Sequence, residues 1–339
     1  MLRTGFGFSI GRSEPRKILG VGLCAMLLAL CLSAEAQQPT KIPTIGILAG
    51  ASSPSARLDS FRREFGKLGY VEGKNIAFES RYAENKLDRL QSLAAELVRL
   101  KVDVIVTPGA NDTRAAKNAT RTIPIVFLGT VSDPVSLGLV DSLASPGGNI
   151  TGFTSIGGVL AGKQLELLKE TIPKLSRVAV LWNTQNAGST QVWKESQPPA
   201  KELGLQLHSM AVNSADDIES GFRDSVKARS GALFVTGGGL IANNHKRIIS
   251  LAIKNRLPAI AGHEDFAELG GFMSYGTDGI EPYRRAAVLV DKILKGAKPA
   301  DLPVEQPKKF ELIINLKAAK QIDLAIPPNV LARADKVIK

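Results

Sequence analysis

The chain has 339 residues, of which 44% are hydrophobic and 22% charged, so it is long and apolar enough to form two domains with buried cores. This globular composition, without long low-complexity tracts, excludes a disordered or repetitive chain. A formal net charge of +11 is compatible with a nucleic-acid partner, but the basic residues are dispersed and no nucleic-acid motif is present, so we expect no nucleic acid to bind.

The first 36 residues have the pattern of a secretory signal peptide. Arg12, Arg16 and Lys17 precede an apolar run over 18–32, and Ala34-Glu35-Ala36 is a small-x-small cleavage pattern. We predict cleavage after Ala36, export to the periplasm, and a mature chain with 39 basic and 30 acidic side chains, a formal charge of +9. A membrane anchor is the alternative, but the run is shorter than the roughly 20 residues that a spanning helix needs.

Both cysteines, Cys24 and Cys31, lie in this apolar run. Either is a candidate for lipid attachment. Each follows a leucine, however, where the lipoprotein signal usually has Gly, Ala or Ser, so we favour soluble export. The predicted mature chain contains no cysteine, which excludes a disulfide, a thiolate metal site and a cysteine nucleophile.

The mature chain opens with a strand, a hydroxyl-rich loop and a helix. Residues 45–49 are an apolar run, 50–55 are small and polar, and apolar residues recur at helical spacing from Leu58 to Leu68 before Gly69. Ligands of open α/β sheets bind beyond the carboxyl ends of the strands. The hydroxyls and free N–H groups of this loop therefore suit a ligand carboxylate, although Ser and Gly also simply make a good turn.

Strands and helices then alternate along the chain. The pattern predicts further strands at 75–81, 102–106, 123–128, 150–153, 177–182, 205–212, 232–235, 258–261, 271–275 and 309–314. It predicts helices at 87–100, after 112, from Asp133-Pro134 to 144, at 163–171, 190–203, after Ser214, at 241–255, 281–295 and near the C-terminus. A turn-rich break near 146–155 separates two rounds of alternation. Such alternation predicts parallel sheets covered by helices, in two lobes that face a shared cleft.

Several stretches together resemble one family. They are AQQPTKIPTIGIL, FGKLGYVEGKNIAFESRYAENKLDRLQSLAAELVRLKVDVIV, IPIVFLGTVSDPVSLGLVDSLASPGGNITGFTS and PADLPVEQPKKFELIINLKAAKQIDLAIPPNVLARADKVI. The chain resembles ABC-transporter substrate-binding proteins of the type I periplasmic-binding fold over nearly all of its mature length. PGGNITG and KFELIINLKAAK are the most specific stretches. The resemblance implies an α/β fold of two doubly wound parallel-sheet lobes joined by crossover hinge segments.

The resemblance also implies lobe boundaries and a ligand. Lobe 1 would contain 42–150 and 274–305, and lobe 2 would contain 151–273 and 306–339. Some members of the subgroup bind amino acids, so the implied ligand is a small polar molecule such as an amino acid or a related carboxylate. The ligand would be held between the lobes and delivered to a membrane permease.

The residues give no reactive constellation for an enzyme. His208, His245 and His263 lie apart and have no metal-ligand spacing. Ser52, His263 and Asp133 form a triad on paper only, because no GxSxG elbow is present. The Gly-rich loops match no phosphate-binding motif. We predict no catalysis, no metal and no cofactor; a periplasmic hydrolase is a minor alternative.

The polar loops at the strand ends are the candidate ligand site. Hydroxyls and backbone N–H groups suit a ligand carboxylate, and a carboxylate side chain suits an ammonium. The predicted ligand-binding residues are Ser52, Ser53, Asn111 and Asp133 in lobe 1, Asn183, Thr236, Gly238 and Asp265 in lobe 2, and Tyr275 in a crossover. Each also has a structural interpretation: Asp133 caps a helix, the asparagines close turns, and Gly238 meets a backbone requirement.

The sequence therefore predicts an exported, monomeric binding protein that works by hinge closure. A ligand that contacts both lobes favours the closed form, which an ABC permease would recognise. The alternative is an extracytoplasmic sensing module that presents its ligand to a membrane receptor, because the same fold serves both roles.

Overall fold

A computed structural model of the protein describes residues 5, 7, 41–51, 56–131 and 133–339. The predicted signal peptide lies outside the described residues, apart from residues 5 and 7, and so do Ser52, Ser53 and Ser132. The part of the chain from Ile42 to Lys339 is one compact unit.

Strands and helices alternate through this unit. The strands are β1 (Thr44–Ala49), β2 (Ala77–Tyr82), β3 (Val104–Thr107), β4 (Ile125–Val131), β5 (Ile150–Thr154), β6 (Arg177–Asn183), β7 (Gln206–Val212), β8 (Ala232–Val235), β9 (Ala259–His263), β10 (Met273–Thr277), β11 (Glu311–Asn315) and β12 (Lys336–Ile338). The helices are α1 (Ala56–Lys67), α2 (Leu90–Arg99), α3 (Ala110–Ala119), α4 (Gly157–Thr171), α5 (Ala187–Glu202), α6 (Asp217–Lys227), α7 (Gly239–Asn243), α8 (His245–Lys254), α9 (Glu264–Glu268), α10 (Glu281–Leu294), α11 (Leu316–Gln321) and α12 (Pro328–Leu331). Short 3₁₀ helices lie at Leu87–Arg89 and Pro299–Asp301.

The first lobe is built on a five-stranded parallel sheet in the order β2-β1-β3-β4-β5. Helices α1 and α10 cover one face, where Phe61, Phe65 and Tyr283 are buried against β1, β3 and β4. Helices α2 and α3 cover the other face. Because the central strands are buried on both faces, they read as continuous apolar runs rather than as alternating patterns.

The second lobe is built on a seven-stranded sheet in the order β12-β11-β10-β9-β8-β6-β7. All neighbouring strands are parallel except β10 and β11, which are antiparallel. Helices α4, α5, α11 and α12 contribute to the core on one face, and α6 to α9 to the core on the other. The C-terminal segment, with β11 and β12, therefore completes the second lobe. The predicted α/β class with two doubly wound parallel-sheet lobes is confirmed.

The chain passes between the two sheets after β5, after β10 and between Asp301 and Glu311. Strand β5 pairs with β4 of the first sheet, and β10 pairs with β9 of the second. The lobe boundaries at 150/151 and 273/274 stay a prediction. From the sheet membership we propose that each boundary lies at the C-terminal end of its strand.

The helix predicted from Asp133-Pro134 to residue 144 is wrong. The chain there forms consecutive turns, and the N–H of Leu139 donates to the carbonyl of Pro134 at 2.8 Å. Gly138 has a φ of 63°, which a right-handed helix does not allow. The turns bury Leu139 in the core of the first lobe, so packing decides the conformation after the capping residue.

Candidate functional site

Polar loops from the two sheets meet across a cleft. Asn111 lies in the first turn of α3, after β3 of the first sheet. Its Nδ2 donates to the carbonyl of Gln185 at 2.8 Å, and its Oδ1 accepts the N–H of Ala187 at 3.3 Å. Gln185 and Ala187 follow β6 of the second sheet. The carboxyl ends of strands from both lobes therefore meet, which is where open α/β sheets bind ligands.

An ion pair also crosses the cleft. Arg57 lies in α1, just after the first polar loop, and Asp265 lies in α9, just after β9. The Nη2 atom of Arg57 is 3.4 Å from the Oδ2 atom of Asp265, and the two side chains are 21% and 43% exposed. Opposite charges on opposite lobes thus lie at one point of the cleft.

Two histidines lie close to Asp265. Burial lowers the pKa of His263 at the end of β9; the Arg57 charge lowers it further, while the Asp265 charge raises it. Burial also lowers the pKa of His245. The His245 ring meets the ring of Phe266 edge-on, with the centroids 5.4 Å apart. Both imidazoles are therefore neutral at neutral pH.

Some polar atoms of this region are buried without a hydrogen-bond partner. Among the described residues these atoms include His263 Nδ1, Asp265 Oδ1 and Ser274 Oγ. Buried polar atoms are hydrogen-bonded in the great majority of native structures, and each exception needs an explanation. The two atoms beside Arg57, His263 Nδ1 and Asp265 Oδ1, are therefore available to hydrogen-bond a ligand.

Asp112 supports the first polar loop from inside the first lobe. Its Oδ1 atom accepts the N–H of Gly50 at 3.0 Å. Burial raises the pKa of Asp112 to about 7, although hydrogen bonds from the backbone N–H groups of Gly50 and Gly109 lower it. A Cβ atom at Gly109 would lie 2.8 Å from Asp112 Oδ2, so the carboxyl group can approach only because residue 109 has no side chain. Asp112 therefore holds the start of the loop that contains Ser52 and Ser53.

The structure gives the predicted residues of the first lobe different placements. Ser52 and Ser53 lie outside the described residues. Asn111 reaches the second lobe through two hydrogen bonds. The Oδ1 atom of Asp133 accepts the N–H groups two and three residues later, each at 3.0 Å, so it caps a turn. Asp133 also lies near α5 of the second lobe, since its charge contributes to a raised pKa of Glu195, whose main cause is burial.

Three predicted residues of the second lobe make contacts within that lobe. The Oδ1 atom of Asn183 accepts the N–H two residues later at 2.8 Å. The buried Oγ1 atom of Thr236 donates to the carbonyl of Leu181 at 2.9 Å and lies 2.7 Å from Ser189 Oγ. Gly238 has a φ of 120°, which favours glycine. Ligand contacts by these three residues stay a prediction.

The last two predicted residues differ in their surroundings. Asp265 is in the ion pair with Arg57. Tyr275 lies in β10 and packs against the core of the second lobe, with its ring 6.4 Å from that of Phe310. Its carbonyl accepts a hydrogen bond of 2.7 Å from Gln164 Nε2. Tyr275 therefore packs inside the second lobe, in the strand that precedes a crossover. Its contact with a ligand stays a prediction.

Sequence reasoning missed Arg57 and the grouping of His245 and His263. The only sequence signal for Arg57 is a basic residue directly after a hydroxyl-rich loop. The two histidines lie in an α-helix and at a strand end, and only the fold brings their rings within range of the Asp265 charge.

Among the described residues, neither a metal cluster nor a membrane-spanning helix is found, and one groove lies apart from the cleft. Within residues 41–51, 56–131 and 133–339, no group of three His, Cys, Asp or Glu side chains is placed to hold a metal ion. No described helix is both long enough and apolar enough to cross a bilayer. A groove of about 340 Å³ beside α10 is lined by Leu289, Lys292, Leu302, Pro303, Glu305, Gln306 and Lys308, away from the polar loops of the cleft.

Comparison with known proteins gives consistent matches. A family model described as ABC transporter substrate binding protein matches residues 45–338. The chain is 30% identical over 288 residues to a tyrosine-binding protein from Clostridioides difficile, in a match that covers 84% of this chain and 82% of that relative.

Two solved structures are similar over almost the whole chain. One is the ABC domain in complex with L-Trp from Streptococcus pneumonia, 25% identical, with a TM-score of 0.78 over 87% of this chain and 99% of that chain. The other is the ligand-free, open structure of a substrate-binding protein with adhesive properties from Clostridium difficile. It is 28% identical, with a TM-score of 0.62 over 88% of this chain and 100% of that chain.

Proposed function

The chain belongs to the family of ABC transporter substrate-binding proteins, and from this premise we propose that it captures an α-amino acid between its two lobes and delivers it to an ABC permease. The family and the type I periplasmic-binding fold agree with the resemblance that the sequence shows. The observation that carries the ligand class is the pair of opposite charges, Arg57 and Asp265, which face each other from opposite lobes at 3.4 Å.

An α-amino acid has the charges that match this cleft. Its carboxylate suits a guanidinium, and its ammonium suits a carboxylate side chain. Two relatives point to the same class, one being a tyrosine-binding protein and the other a protein in complex with L-Trp. We therefore propose an aromatic amino acid, with L-tyrosine and L-tryptophan as the first candidates.

The mechanism we propose is closure of the two lobes around the ligand. The chain superposes better on the L-Trp complex, at a TM-score of 0.78, than on the ligand-free open relative, at 0.62, although the two identities are similar. Contacts across the cleft by Asn111 and Arg57 agree with a closed arrangement. A ligand that touches both lobes shifts the equilibrium toward this form, which the permease recognises.

Export, monomeric state and the absence of catalysis complete the proposal. We propose that residues 1–36 are removed as a signal peptide and that the protein works as a monomer in the periplasm. A bound ligand would then be released chemically unchanged.

A thermal-shift screen of the purified protein tests the proposal. The panel contains the common L-amino acids, aromatic acids, nucleosides and small sugars. A ligand present at 100 times its dissociation constant stabilises the folded state by about 2.7 kcal/mol, which is a clear shift. We expect the largest shifts with L-tyrosine or L-tryptophan, and mass spectrometry should recover the ligand unchanged. Shifts with sugars or nucleosides alone, or turnover of the bound compound, would contradict the proposal.

A further inference from the structure

The ion pair across the cleft leaves capacity for further bonds on both partners. Its N–O distance of 3.4 Å is longer than the roughly 2.7–2.9 Å of a strong charge-assisted hydrogen bond. The guanidinium of Arg57 carries five N–H donors, and only Nη2 faces the carboxylate. The second oxygen of that carboxylate, Oδ1, is buried and has no hydrogen-bond partner among the described residues.

His263 adds a second polar atom on the same side. Its Nδ1 atom is also buried without a hydrogen-bond partner in the described part of the chain. Burial and the Arg57 charge keep the ring neutral by lowering its pKa. A neutral imidazole keeps one nitrogen that accepts a hydrogen bond, which suits a donor group and not a second acceptor. Asp265 and His263 thus offer a carboxylate oxygen and an imidazole nitrogen to one cationic donor.

The chemistry separates three classes of ligand. A carboxylic acid without an amine pairs with Arg57 but leaves Asp265 facing a second anion. An amine without a carboxylate pairs with Asp265 but brings a second cation to Arg57. A zwitterion places one group on each partner, so neither Arg57 nor Asp265 is left without a counter-charge when the ligand excludes water.

We propose that Asp265 and His263 form an ammonium subsite on the second lobe and that Arg57 forms the matching carboxylate subsite on the first. The site then selects ligands that carry a primary ammonium and a carboxylate on one carbon. Binding inserts these two groups between the lobes and links Arg57 to Asp265 through the ligand. This inference rests on the proposed function and names the atoms that recognise the ligand.

The test uses two matched sets of probes and calorimetric titration. The first set is L-tyrosine, tyramine and 3-(4-hydroxyphenyl)propanoate, and the second is L-tryptophan, tryptamine and indole-3-propanoate. Each set varies only the ammonium or the carboxylate. The variants are Asp265→Asn, His263→Phe and Arg57→Gln, and thermal unfolding without ligand shows whether each one folds. His263→Phe keeps an aromatic ring, although a larger one, and removes both nitrogens, so it tests the same subsite by another route.

We expect Asp265→Asn to weaken binding of the amino acid by about 10- to 100-fold, the effect of losing a charged hydrogen bond. The same variant should not weaken binding of the propanoate analogue and should strengthen it, because that analogue has no ammonium and its carboxylate no longer faces a second anion. His263→Phe should also weaken binding of the amino acid selectively, but by a smaller factor. Arg57→Gln should weaken binding of the amino acid and of the propanoate, but not binding of the amine. Glu219→Gln is the control, since Glu219 pairs with Arg247 at 3.0 Å on the surface of the second lobe.

The outcomes separate this inference from the proposed function. If the parent protein binds neither L-tyrosine nor L-tryptophan, the proposed aromatic ligand is wrong, and the proposed subsites are wrong as well. A second outcome is that the parent protein binds one of them while Asp265→Asn and His263→Phe weaken binding of the propanoate as much as binding of the amino acid. In that case the two residues act only on the structure of the cleft. An unchanged affinity for the amino acid in both variants would overturn the ammonium subsite alone.

Discussion

At the scale of single residues, Asp112 is the buried group with the clearest consequence for stability. Its pKa is about 7 in the folded protein, against an ordinary value of 3.8, because burial disfavours the carboxylate. The folded state therefore keeps a proton that the unfolded state releases, and the free energy of unfolding falls as pH rises from about 4 to 7. The full titration corresponds to roughly 4 kcal/mol, as an upper limit.

We predict that Asp112→Asn removes this part of the pH dependence. The amide stays neutral at every pH and can still accept the N–H of Gly50, which Asp112 Oδ1 accepts at 3.0 Å. The variant should gain stability relative to the parent as pH rises from 5 to 8. Urea unfolding at several pH values measures the difference. Asp224→Asn is the control, because Asp224 is exposed in α6 and should leave the slope unchanged. A variant whose stability falls with pH as steeply as the parent's would assign the dependence to other groups.

The sequence predicts where the site lies better than it predicts which side chains meet there. Loops such as 50–55 are visible as polar residues after apolar strands, and Asp265 follows from that logic. Arg57 does not, because its partner lies 208 residues away and on the other lobe. Thr236 fits the polar pattern equally well, yet its hydroxyl is used inside the second lobe by Leu181 and Ser189. The sequence pattern of a hydroxyl residue at a strand end is the same whether the hydroxyl contacts a ligand or a backbone carbonyl.

At the scale of elements, strands buried on both faces are the most predictable part of the chain. The β-branched residues within 102–106 and the short apolar run at 232–235 leave few alternatives to a buried strand. Helix continuation is less predictable than helix start. Asp133 caps its turn as the sequence indicates, but the helix does not follow. The helix predicted at 241–255 divides into α7 and α8 at Asn244, whose ψ of 12° is not helical.

Strands β9 and β10 approach each other closely at Gly276. A Cβ atom there would lie 1.9 Å from the carbonyl oxygen of Gly262, which is backbone and cannot move aside cheaply. The register between the two strands also shifts near this point. Because β9 ends at His263, a displaced β9 also displaces α9, the helix that carries Asp265. We expect Gly276→Ala to lower the free energy of unfolding by about 2 kcal/mol or more.

Chemical denaturation of the variant measures this loss, and α1 provides a matched control. Gly66 lies in that helix, is exposed, and has nothing within 4 Å of its Cβ position. Gly66→Ala should therefore raise the stability by roughly 0.5–1 kcal/mol, since alanine is the better helix former. Equal effects of the two substitutions would show that β9 and β10 can separate at little cost.

At the scale of the whole molecule, polar side chains of the described residues join the two lobes. Besides the pair of Arg57 and Asp265, these include Asn111 with the second lobe and Gln191 Nε2 with Ser136 Oγ at 3.1 Å. Topology predicts that the polar loops face a common cleft. It does not predict how far the cleft closes, because closure depends on a balance of a few such contacts against solvent.

Asn111 contributes to this balance through its side-chain amide. Its amide makes two hydrogen bonds to backbone groups of the second lobe, at 2.8 and 3.3 Å, and an opening of the cleft would break them. Net hydrogen bonds of this type stabilise by about 1 kcal/mol. Asn111→Ala should therefore shift the lobes toward the open form and weaken ligand binding by about 3- to 10-fold. Small-angle scattering without ligand should show a larger radius of gyration for the variant, and saturating ligand should restore the parent's value.

Asn255→Ala is the matched control for this experiment. Asn255 Nδ2 donates to the carbonyl of Leu251 at 2.8 Å, so it makes the same kind of bond but entirely within the second lobe. We expect this variant to keep both the scattering curve and the affinity of the parent. If Asn111→Ala behaves in the same way, the contacts of Asn111 do not contribute to closure, and the closed arrangement must depend on Arg57, Asp265 and the ligand. If the affinity falls while the scattering curve stays unchanged, Asn111 acts on the ligand directly, as its place in the polar loop after β3 predicts.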